Sequence, residues 1–182
     1  MCRALHGFPT MRFTAHVLVL GLAFTVSGTA PAATITRTQV QNATGVCQAA
    51  LPNYEGNVRK RPLGLNNEGT AAAFVSCSFK ADSFYDETGN TFNGLQLSNT
   101  GATAVEVSCS LVAGGTLPVR AAVYFPKTFP VPAGASVVAG WDPTLDNEGE
   151  PFPSTLNWSC NLPPGVNINV AFTNITEEVG AL

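Results

Sequence analysis

Sixteen residues of this chain recur, without a gap, 32 positions further on. Leu63 to Ser78 reads LGLNNEGTAAAFVSCS, and Leu95 to Ser110 reads LQLSNTGATAVEVSCS. Nine of the sixteen positions are identical, among them Asn67/Asn99, Gly69/Gly101 and the closing Val-Ser-Cys-Ser. A looser third copy leads from Asn147-Glu148-Gly149 to Cys160. Apolar residues alternate within each copy: Leu95 and Leu97 before the Asn-x-Gly, then Val105, Val107, Cys109 and Leu111 after it. A period of two marks strands with one buried face, so the unit reads strand, turn, strand, cysteine. Asn-x-Gly suits a short hairpin loop in which the glycine takes positive φ. Two equivalent hairpins in one sandwich are expected, because three imperfect copies with no helical pattern are too few for a solenoid.

The rest of the chain fits that class. Val17 to Val26 is apolar except for Thr25, follows Arg12, and is followed by the small residues Ala30-Pro31-Ala32. This pattern predicts an export signal over residues 1–32, with Met11 the more ordinary start, and the apolar run is too short for a membrane span. Residues 33–182 are then one domain. The signal carries both histidines, both methionines and two of the nine basic residues, Arg3 and Arg12, so seven remain against twelve acidic ones, a net charge of −5. Valine, threonine, asparagine and glycine dominate what is left, and thirteen prolines divide the whole chain. This is an all-β composition, and the turn spacing predicts about eight to nine short strands in a two-sheet antiparallel β-sandwich, Ig-like or jelly-roll-like. Cys47 to Leu51 reads as one helical turn, Asn53 to Pro62 as a polar loop, and Pro126, Pro130 and Pro132 as punctuation of another loop.

Four cysteines remain after the signal: Cys47, Cys77, Cys109 and Cys160. An even number in an exported chain implies two disulfides, and four cysteines allow three connectivities. Cys77 and Cys109 occupy equivalent places in the repeat, which favours a separate partner for each: Cys47–Cys77 and Cys109–Cys160. Zinc would require closely spaced ligands, and spacings of 30, 32 and 51 residues offer none.

Without histidine or a free thiol, Ser-His-Asp and Cys-His catalysis cannot be built, and no phosphate-cradling glycine motif is present. Carboxylate chemistry of the glycosidase type remains open, with Asp82, Asp86, Glu87 and the run Asp142 to Glu150 as its acidic residues. In that run Asp142, Asp146, Glu148 and Glu150 are the calcium candidates, although their spacing departs from the alternating ligands of the twelve-residue calcium loop. Arg59-Lys60-Arg61 is a candidate site for an acidic ligand or partner. The acidic balance and the export signal argue against nucleic acid. Tyr124 points away from Val123 and Phe125 and is a candidate sugar-stacking ring. Trp141 and Trp158 are in phase with apolar neighbours and are expected in the core, Trp158 beside a disulfide.

Cys47-Gln-Ala-Ala-Leu-Pro52, Arg59-Lys-Arg-Pro-Leu63, Asn67-Glu-Gly-Thr70 and Val75-Ser-Cys77 together resemble a group of small, uncharacterised exported proteins of Gram-negative bacteria. The likeness covers roughly the first half of the mature chain plus the Cys109 and Cys160 strands. It implies a β-sandwich and an exported location, periplasmic or extracellular, and carries over no functional residue. The reading is a non-enzymatic, cofactor-free protein with a binding or structural role, its partner a protein or a glycan. The alternative is a carbohydrate-active domain, either a sugar-binding module or a carboxylate-dependent hydrolase.

Overall fold

The computed structural model describes residues 33–80, 90–114, 121–152 and 155–179. The expected export segment and Asp82, Asp86 and Glu87 lie outside them.

Among the described residues, eleven strands form two antiparallel sheets. The six-stranded sheet holds β1 (Ala33–Asn42), β3 (Val58–Arg61), β4 (Gly64–Asn67), β6 (Asn90–Asn99), β9 (Ser136–Trp141) and β11 (Val166–Val179). Its order is β3-β4-β11-β6-β9, with β1 also on β11. The five-stranded sheet is ordered β2-β5-β10-β7-β8, from β2 (Cys47–Ala49), β5 (Ala73–Lys80), β10 (Thr155–Leu162), β7 (Val105–Ala113) and β8 (Val123–Val131). Two four-residue helices, α1 (Ala43–Val46) and α2 (Pro143–Asp146), occupy connections. The helical turn expected at Cys47 to Leu51 falls earlier, at α1, where the Asn42 side chain accepts from the Thr44 N–H. Cys47–Ala49 is strand, and a single 3-10 turn follows at Pro52–Tyr54.

The repeat is a two-sheet sandwich element, but not a hairpin. β4 and β5 lie in different sheets, and so do β6 and β7. Each copy is an arch that leaves one sheet and enters the other. A buried amide makes the corner. Asn67 accepts from the Gly69 N–H at 3.0 Å and donates to Ala71 O at 2.9 Å and Leu162 O at 2.7 Å. Asn99 repeats the set: Gly101 N–H at 2.8 Å, Thr103 O at 2.8 Å and Val131 O at 3.1 Å. Both side chains are almost wholly buried. Leu162 and Val131 end β10 and β8, so each amide ties the end of one sheet to the neighbouring strand of the other. The third copy also carries the chain between sheets, from β9 to β10, but Asn147 only donates locally, to Glu150 O and Pro151 O.

Gly69 and Gly101 do not have positive φ; Gly114, Gly134, Gly149 and Gly165 do. What holds the repeat glycines small is closeness. A Cβ on Gly69 would collide with the Asn57 side chain, and one on Gly101 would lie 3.0 Å from Asn99 Oδ1. Gly165, at φ 78°, joins the two arches: its N–H donates to Asn67 O and its carbonyl accepts from the Thr100 N–H, both at 2.9 Å.

In the five-stranded sheet Cys47 stands opposite Cys77 and Cys109 opposite Cys160, and these are the disulfides. On chain-entropy grounds each adds about 4 kcal/mol by closing its loop. The core fills the space between the sheets with Leu65, Leu95, Leu97, Leu111, Ile168 and the two tryptophans. Trp141 Nε1 donates to Phe125 O at 2.7 Å, and its ring meets Phe129 edge-on. Trp158 lies opposite Cys77 and meets Phe79 edge-on.

Two segments expected as loops are edge strands. Pro126 and Pro130 point outward on β8, at the border of the five-stranded sheet, where a missing N–H costs no ladder bond and discourages further pairing. Arg59, Lys60 and Arg61 lie on β3, the border of the six-stranded sheet.

Replacing Asn99 by alanine strands the Gly101 N–H and the carbonyls of Thr103 and Val131, and should cost about 2–4 kcal/mol in urea melts. Gly165→Ala forces a left-handed residue and should cost about 1–2 kcal/mol. Gly101→Ala carries no such backbone term, although its Cβ would crowd the Asn99 amide; if Asn99→Ala costs no more than an ordinary surface substitution, the amide is not what makes the corner.

Candidate functional site

The period of two along β3 separates the basic run. Lys60 lies opposite the buried Leu65 and points inward at the open edge, while Arg59 and Arg61 point to the other side. Arg59 donates to Glu55 O at 2.7 Å and Val58 O at 3.0 Å. Arg61 holds Glu68 through two bonds of 2.6 and 2.7 Å. The hydrogen bond from Arg61 draws the Glu68 carboxyl below its ordinary range, and the same bond raises Arg61. The run is not one cationic patch.

The acidic run is divided as well. Asp142 caps α2 by accepting from the Thr144 N–H at 2.8 Å. Asp146 accepts from Lys127 Nζ and from the Asp142 N–H, each at 2.7 Å. Glu148 and Glu150 are exposed, Glu148 at φ 54°. Among the described residues no three carboxylate, cysteine or histidine side chains converge to hold a metal ion.

The clefts that open among the described residues include two of similar size. One, of about 440 Å³, lies at the β2/β3 border and is lined by Leu51, Val58, Lys60 and Leu65, with Glu55 as the one carboxylate among the described residues. The other, of about 490 Å³, lies on the outer side of the five-stranded sheet and has no carboxylate among the described residues that line it. Neither cleft presents the facing pair of carboxylates that glycoside hydrolysis uses. Tyr124, 66% exposed, belongs to the outer side of the five-stranded sheet.

The most organised aromatic surface is one that the sequence pattern alone does not reveal. Leu95, Leu97, Ala171 and Thr173 point into the core, so alternation puts Phe92, Gly94 and Phe172 outside. Register places Val40, Phe172, Gly94 and Gly140 in one row across β1, β11, β6 and β9. A Cβ on Gly94 would lie 2.7 Å from Phe172 Cζ, and one on Gly140 would collide with the Phe92 ring. Each ring therefore lies down over a glycine of the next strand. The two rings are 25° from parallel with centroids 5.9 Å apart. Around them stand Val40 and Val138, more than half exposed, with Gln96 and the hydrogen-bonded pair Thr38 and Asn174. None of these outward side chains is charged. The sequence signal for this platform is a lone glycine inside each of two strand patterns, which marks a close approach.

No protein-family model and no curated protein matches the chain. Solved structures similar to this chain include two sugar complexes. An exo-beta-1,3-galactanase from Phanerochaete chrysosporium, with galactose, shares 9% identity over 75% of this chain and 29% of its own, at a TM-score of 0.44. This chain thus spans less than a third of that enzyme. TmCBM61 in complex with beta-1,4-galactotriose shares 10% identity over 78% of this chain and 88% of its own, at a TM-score of 0.34. Both likenesses are distant.

The Glu68 carboxyl resonance should titrate below the ordinary glutamate range in the wild type and return to it in Arg61→Gln. Because the folded value is depressed, the pair's contribution is present above the unfolded pKa and is lost as pH falls through the folded one. A Glu68 titration unchanged by the substitution would show that the pair does not form in solution.

Proposed function

We propose that this is an exported, non-enzymatic sugar-binding β-sandwich. The observation that carries the reading is the platform of Phe92 and Phe172, laid flat over Gly140 and Gly94. The face of an aromatic ring carries negative quadrupole density and attracts the slightly positive C–H face of a pyranose. Two nearly parallel rings side by side fit consecutive sugars of a chain, and Gln96 and Asn174 stand within the same patch to address hydroxyls. The uncharged surround suits a neutral saccharide rather than an acidic one. Two disulfides support an oxidising location, periplasmic or extracellular, and among the described residues no helix is long and apolar enough to cross a membrane. The described carboxylates serve a helix cap (Asp142) or ion pairs (Glu68, Asp146) or face solvent (Glu148, Glu150), which favours binding over hydrolysis.

The test is affinity electrophoresis and calorimetry against a panel of soluble neutral polysaccharides (mixed-linkage glucan, galactan, galactomannan, dextran), with polygalacturonate as the acidic comparison. Phe172→Ala and Phe92→Ala should each weaken binding by about tenfold or more, as loss of a principal contact residue does. Gly140→Ala, which keeps both rings but lifts Phe92, should weaken it as well, while the exposed Leu145→Ala should not. Affinity undiminished from wild type in the double phenylalanine variant, or preference for the acidic polymer, would overturn the platform.

A further inference from the structure

We propose that the depression on the outer side of the five-stranded sheet is a second saccharide site, so that the sandwich holds two glycan chains, one on each outer face. The ligand class rests on the sugar-binding reading; the site itself stands on separate residues. Its floor comes from the recurring cysteine segments. In Ser108-Cys109-Ser110 and Ser159-Cys160-Asn161 the cysteines point inward, and the residues on either side point outward. Register sets these side chains in two rows across four strands: Phe74, Asn161, Ser108 and Thr128 in one, Ser159, Ser110 and Pro126 in the next. The central strands carry short side chains and the flanks carry Phe74 and Pro126, which is why the surface dips there to about 490 Å³.

The chemistry of the floor is that of a polyol site. Three serine hydroxyls, a threonine hydroxyl and an asparagine amide donate and accept within one patch, and short side chains lose little rotamer freedom on binding. Ser108 and Thr128 are already 3.3 Å apart. Phe74, 44% exposed, forms an apolar wall backed by Tyr54 at 6.0 Å between centroids. The one lysine at the site, Lys127, has its ammonium turned to the other side, on Asp146 at 2.7 Å and Gly140 O at 3.1 Å. Among the described residues the lining therefore offers no charge to a ligand, and the exposed Glu106 in the next row, opposite Pro130, disfavours an acidic one, which together argue for a neutral ligand. The Cys109–Cys160 disulfide lies directly beneath the floor and fixes its two central strands. The Phe92 and Phe172 platform and this floor lie on opposite outer faces, so one chain segment cannot occupy both, and a bivalent sandwich links chains.

The experiment uses the full chain on the same neutral polysaccharide panel and reads affinity together with turbidity of the polymer. Phe92→Ala/Phe172→Ala should keep a weaker, saturable binding to at least one polymer. Adding Phe74→Ala or, as a second route, Ser110→Glu should reduce that remainder about tenfold or more. Wild type should raise turbidity, and variants of either face should bind without raising it. If the double phenylalanine variant binds none of the polymers while the wild type binds, the second site is refuted and the platform stands. If Phe74→Ala abolishes binding and the platform variants do not, the depression stands and the platform falls. If the wild type binds no polymer on the panel, both are refuted.

Discussion

A sandwich whose strands alternate between sheets must turn a corner at each crossing, and the backbone groups at a buried corner need partners. Here the partner is a side-chain amide. Asn67 and Asn99 each take one N–H and two carbonyls, the second carbonyl from a strand of the opposite sheet. An amide in a water-excluded site is costly if half-satisfied and rigidifying if fully used. Gly165 then binds both corners, accepting from one and donating to the other, so the two arches are held as a pair. A larger residue there would need the left-handed conformation that glycine takes freely.

The strands beyond each corner inherit its alignment. Fixing Ala73 against Leu162 and Val105 against Val131 sets the register of β5, β10, β7 and β8, and a slip of one residue would turn every side chain to the wrong face. In the observed register the cysteines meet their partners inside and the serines line up outside. The disulfides and the polar outer rows are thus two results of one alignment. The borders are handled separately: prolines on β8, and an inward lysine on each of β3 and β8, Lys60 and Lys127, which make further strand pairing costly.

Alternation, cysteine parity and turn spacing were enough to read an all-β, two-sheet, disulfide-bonded fold from the sequence, with the tryptophans in its core. The sheet to which each strand belongs was not legible. Leu95-x-Leu97 followed by Val105-x-Val107 has the same period whether the turn closes a hairpin or an arch, and only the distant partners β10, β8 and β11 decide. Pro126 and Pro130 look like breakers until β8 is known to be an edge. Arg59-Lys60-Arg61 looks like one patch until a strand period divides it. Tyr124 was found outside, as its phase implied. Phe92 and Phe172 went unnoticed because the residues that reveal them, Gly94 and Gly140, sit on other strands, and only the register brings ring and glycine together.

The distribution of charge separates the parts of the molecule by role. Among the described residues most charged side chains mark borders and turns: Arg59 and Arg61 on β3, Glu68 beside them, Asp146 with Lys127, and Glu148 and Glu150 in the exposed loop, while Glu106 stands on the outer face of β7 beyond the floor. The two candidate surfaces present rings over glycines on one side and hydroxyls over a disulfide on the other. Removing water from a hydroxyl or a ring costs far less than removing it from a charge, because a hydroxyl recovers its hydrogen bonds with any polyol and a ring has none to lose. Keeping charge off the platform and off the floor of the depression lowers the desolvation cost of laying a neutral chain against either one, while the charged borders discourage the sandwich from joining edge to edge with its own copies.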